Sequence, residues 1–148
     1  MQLWRIDRTV LAFLVAPLWV PIATAMYVYA VGMFPNPEQR PWIYITTLIG
    51  ALFGYGGVWA IGLPAFRILR AKGLSSGWIA IVMGFVVAVL TWHIFELLFA
   101  LSLGNSLNFV WHNWTTSAVQ WALILGIGAL GVVVGGTLWL IARPDRFA

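Results

Sequence analysis

Glu96 is the one formally charged residue well inside an apolar run of this chain, and His93 stands three residues before it. Residues three apart share a helix face, so a carboxyl and an imidazole sit together where hydrocarbon surrounds them. Such a pair could take a proton, a cation or a polar headgroup, or it could be polar glue between helices. An ionisable group costs roughly 2.5–3.5 kcal/mol at the centre of a membrane helix and less toward the interface. That cost calls for a partner or a water-filled cavity.

Depth along the apolar runs suggests the partners. Thr24 and Tyr27 lie in the outer half of the first run, Tyr44, Thr46 and Thr47 in the outer half of the second, and Ser117 and Gln120 open the fourth. Arg40, in the loop between the first two runs, has a stem long enough to reach down toward the carboxyl. The expected polar cluster is therefore His93, Glu96, Thr46, Thr47, Gln120 and Arg40.

The same residues exclude most chemistry. His93 and Glu96 fall short of the three or four ligands of a zinc site, and His112 adds a third only if its loop folds back. Haem held between two histidines needs a facing pair, and the other apolar runs contain none. Neither a metal nor any other cofactor is expected. The hydroxyls lack a His-Asp partner pattern. The intramembrane glycines are not followed by the Lys-Ser/Thr of a phosphate loop. Cysteine is absent, which removes thiol and disulfide chemistry. The expectation is a protein that is not an enzyme.

The elements that must hold this pair are membrane spans. Hydrophobic residues make up 62% of the 148 and charged residues 8%, against about 45–50% and 25% in a soluble domain. A span needs about 20 apolar residues, and four runs qualify: 9–34, 42–66, 77–103 and 117–142. They leave no room for a soluble domain, and they lack the period-two alternation of an outer-membrane barrel. The first run is too long for the core of a cleaved signal peptide. Pro17 and Pro21 should bend that first span. The loop 104–116 carries Phe109, Trp111 and Trp114 and should lie partly in the headgroup plane. The predicted fold is all-α: one transmembrane domain over 1–148, a four-helix up-down bundle.

Small residues recur every four positions: Gly50 and Gly54; Ala80, Gly84 and Ala88; Gly131 and Gly135. Helices in lipid approach closely along such stripes, because no hydrophobic force drives them together. The stripes should pack the bundle and leave surface for a protein partner or a second copy. The tryptophans near each end read as interface belts, Trp114 among them.

Seven of the eight basic residues fall in the two tails and the 67–76 linker, the other being Arg40. The positive-inside rule then places both termini in the cytoplasm. Arg67, Arg70 and Lys72 are expected to contact anionic lipid headgroups, and nucleic acid is not expected despite the net charge of +4. The combined reading is a small protein of a bacterial inner membrane, serving as a partner-binding accessory, assembly or immunity-type subunit of a larger complex. The alternative is an oligomeric proton- or cation-linked transporter or channel component that uses Glu96 and His93.

Overall fold

The computed structural model describes residues 3–32, 36–74 and 76–142. Every element among them is helical: α1 (Leu3–Val15), α2 (Trp19–Ala30), α3 (Pro41–Gly57), α4 (Leu63–Ala71), α5 (Gly77–Ser102), α6 (Leu107–Thr116) and α7 (Ala118–Ala142). Four helical stretches are long and apolar enough to cross a membrane: Arg8–Ala30, Pro41–Ala71, Gly77–Ser102 and Ala118–Ala142.

Proline shapes the first two stretches. Between α1 and α2 the chain tightens into a 3-10 turn at Ala16–Leu18, with Pro17 buried in it. Pro17 has no N–H for the helical ladder and its ring crowds the preceding turn, which produces the expected irregularity. Between α3 and α4 the helix widens into a π segment, Val58–Gly62, where the Leu63 N–H reaches back to the Val58 carbonyl. Pro64 follows directly. It cannot donate to the carbonyl four residues earlier, and a widened turn accommodates the group it leaves unpaired.

The span boundaries differ from expectation. The first helix ends at Ala30 rather than at 34, and residues 33–35 lie outside the described residues. The second runs on to Ala71, so Arg67 and Arg70 belong to its last turns and not to a linker. An arginine stem can lie along apolar surface with its head at the interface, so a basic residue does not end the helix. Gly73 ends the segment instead, at φ +72, with the Leu74 N–H bonded to the Leu69 carbonyl. The 104–116 loop is largely helix α6, opened by Ser106, whose hydroxyl accepts from the Phe109 N–H at 3.3 Å. Ser76 precedes α5 in an extended conformation without a side-chain capping bond.

The small-residue stripes are consumed inside the chain. A Cβ on Gly84 would collide with the Gly131 carbonyl, one on Gly131 with the Gly84 carbonyl and with Ala88, and one on Gly135 with the Ala80 carbonyl. α5 and α7 therefore touch backbone to backbone in antiparallel register. Gly50 and Gly54 bring the two helices of the first hairpin close against side chains: added Cβ atoms would meet the Thr24 hydroxyl oxygen at 2.6 Å and Val20 at 2.8 Å. The stripes expected as packing or partner faces thus face neighbours of the same chain. Where α1, the π segment and α7 meet, Ala12, Phe13, Ala16, Val58, Val134, Leu138 and Ala142 form a buried cluster. Phe13 sits edge-on to Phe66 at 5.7 Å.

Gly131→Val should lower the thermal midpoint in mild detergent, since forcing bulk into a packed seam costs about 1–3 kcal/mol. Gly126 has nothing within 4 Å of an added Cβ, and Gly126→Ala should leave the midpoint unchanged or raise it. Circular dichroism melts of the two variants check both directions. Equal midpoints would show that the seam does not hold the bundle.

Candidate functional site

The seam fixes what meets Glu96. The antiparallel register that sets Ala80 against Gly135 and Gly84 against Gly131 continues along the two helices and sets Glu96 against Gln120. Gln120 is 5% exposed, and its amide N–H donates to Glu96 Oε2. α6 supplies two further donors. Trp114 Nε1–H donates to Oε2 at 2.8 Å, and Asn113 Nδ2–H to Oε1 at 3.3 Å. Three neutral N–H groups from two other helices thus converge on one carboxylate. A carboxylate offers only acceptors, which fixes the way both amides face.

His93 shares the face but not the carboxylate. Its Nδ1 pairs with the Val89 carbonyl one turn back, at 2.8 Å. Its ring packs edge-on to Trp114, centroids 4.8 Å apart at 75°. It therefore props the indole that reaches Glu96.

The cluster read from sequence is partly assembled. Gln120 and Glu96 are joined and His93 adjoins them. Thr46 turns its hydroxyl to the Trp42 and Ile43 carbonyls of its own helix, at 2.7 and 3.1 Å. Thr47 lies half-buried on the same helix and is not a partner of Glu96. Arg40 is exposed ahead of α3, and the carboxylate's partners are all neutral. Among the described residues no three of His, Cys, Asp or Glu gather as a metal site; His112 is exposed.

Two partners escaped the sequence reading. Trp114 reads there as one of an interface belt, and Asn113 carries no reading at all. One signal was available: an acid in a span needs donors, and the polar stretch nearest in sequence is 105–116, rich in Asn and Trp.

A second feature is an apolar groove of about 270 Å³ between the second and third spans, walled by α3, α4, α5 and α7. It runs along α5 from Ser76 to Trp92. The Trp92 indole N–H is buried there without a hydrogen-bond partner among the described residues. Two other tryptophans within the spans are exposed but have partners on their own chain: Trp19 donates to the Thr137 hydroxyl at 3.1 Å, and Trp59 tilts on Phe13 at 6.0 Å.

No protein-family model, curated protein or solved structure matches this chain.

Trp114→Phe keeps the ring and removes the donor, and Glu96→Gln turns one acceptor into a donor facing donors. Each leaves a polar group unpaired, worth about 1–3 kcal/mol. Backbone amides of α6 should then exchange with solvent roughly tenfold faster or more in either variant, with α5 and α7 unchanged. Hydrogen exchange of the detergent-solubilised protein reads this directly. Wild-type protection of α6 in both variants would mean that the carboxylate does not hold it.

Proposed function

We propose that this chain is a non-enzymatic integral membrane protein that works as a partner-binding accessory, assembly or immunity-type subunit of a larger membrane complex. One observation carries the reading: the acid in its spans is spent on its own chain, fixing α6 across the Glu96 end of the bundle. What α6 then displays includes three large apolar side chains, Leu107, Phe109 and Trp111, each more than half exposed beside the polar Asn108, His112, Thr115 and Thr116, while Val110 is buried. A rigid amphipathic helix bearing aromatic side chains is a suitable docking element, since tryptophan and other aromatics are enriched where interfaces are most strongly bound.

The charge bias supplies the setting. Arg67, Arg70 and Lys72 sit at the opposite end from Glu96, so the positive-inside rule puts α6 on the outer face of a bacterial inner membrane and both termini in the cytoplasm, in an up-down bundle. Transport through the His93–Glu96 pair has less support. A coupling acid must exchange its ligands, and here the carboxylate has three partners within the fold.

Extraction from the native membrane at natural expression level should yield an assembly heavier than the chain and its bound detergent, with one stoichiometric second protein. The double variant Phe109→Ser, Trp111→Ser should insert normally and lose that protein. A chain that extracts alone, or keeps its partner in the double variant, overturns the reading. Reporter fusions after residue 148 should be active only as cytoplasmic reporters.

A further inference from the structure

Phe66 and Arg70 lie one turn apart on α4, and they border two apolar grooves at once. The first groove is the one that runs along α5 to Trp92. The second, of about 460 Å³, lies on the other side of α4 against α1, between Val10, Phe13 and Trp59, with Arg67 also on its wall. α4 is thus a partition with an apolar channel on each side and a guanidinium on the shared rim. The acids whose side chains are described, Glu38 and Glu96, lie elsewhere in the fold, so no described carboxylate pairs with Arg70. Lys72 follows directly beyond the helix end.

We propose that this is a stoichiometric binding site for one anionic diacyl phospholipid, with the phosphate on Arg70 and one acyl chain in each groove. In a bilayer an apolar space open at the side is filled by hydrocarbon, so occupancy by chains needs no special affinity. Selection comes from the rim. A guanidinium presents paired donors that match a phosphate, and basic pockets between helices bind anionic headgroups. Ordinary interfacial arginines recruit a diffuse anionic layer. Here the two grooves meeting at one cation add a requirement for two chains on one head. The groove along α5 spans 16 residues from Ser76 to Trp92, about 24 Å at 1.5 Å per residue, more than the roughly 15 Å depth of one leaflet's hydrocarbon. A chain entering at the rim has an apolar wall along its whole length. The site is independent of α6 and of the accessory role.

The test is native mass spectrometry of the full chain in mild detergent, titrated with dioleoyl phosphatidylglycerol, dioleoyl phosphatidylcholine and single-chain lysophosphatidylglycerol. One phosphatidylglycerol should stay bound through detergent removal, with the other two released first. Arg70→Gln should weaken its retention about fivefold or more, while Arg40→Gln, at the opposite end, should not. Ala65→Trp, which fills the first groove from its wall, should reduce retention at an unchanged melting temperature. Equal retention of phosphatidylcholine, or no loss in Arg70→Gln, overturns the site. Lysophosphatidylglycerol held as firmly as the diacyl lipid overturns the two-groove arrangement.

Discussion

The close approach of α5 and α7 governs the rest of this structure. In lipid, helices gain nothing from hiding apolar side chains from one another, because the surroundings are equally apolar. They gain from dispersion at short range, and glycine shortens the range. Gly84, Gly131 and Gly135 set the two backbones in contact. A backbone contact cannot slide by a fraction of a turn without a collision, so it also fixes register. Glu96 and Gln120 meet because of where those glycines are. The polar site is a consequence of the apolar seam.

That dependence explains how the carboxylate is satisfied. An arginine partner would have had to order a long stem. A neutral donor on a helix that the seam already holds needs less ordering. Gln120 comes with the seam, and α6 brings Trp114 and Asn113 together, adjacent in sequence, from one short helix. His93 completes the arrangement by bracing Trp114 rather than by bonding to the acid. The site binds three helices to one another.

Composition and periodicity made the four apolar helices legible, together with the stripes that pack them and a break in regular α-helix at Pro17. The pairing of Glu96 with Gln120 was legible as a matter of depth. Trp114 was not, because a tryptophan beside the membrane surface has the same sequence appearance whether it faces headgroups or turns inward to a buried acceptor. Arg67 and Arg70 were misplaced for a related reason: charge marks where a span meets water, but a long basic side chain lets the helix outlast its apolar segment. Arg40 and the threonines of α3 had the right depth on a helix that packs against α2 and leaves the acid to α7 and α6. Depth is readable from one sequence, whereas the rotation of a helix about its own axis depends on its neighbours.

The widened turn at Val58–Gly62 acts on that rotation. A π turn amounts to one additional residue in the helix, and one residue turns everything beyond it by about 100° at 3.6 residues per turn. The segment is therefore a phase adjuster. It lets Gly50 and Gly54 of α3 face α2 while Phe66 and Arg70 of α4 line both grooves. A chain shortened by one residue there would still be long enough to cross a bilayer. Its two halves would be out of step, each able to meet its own neighbours only at the expense of the other.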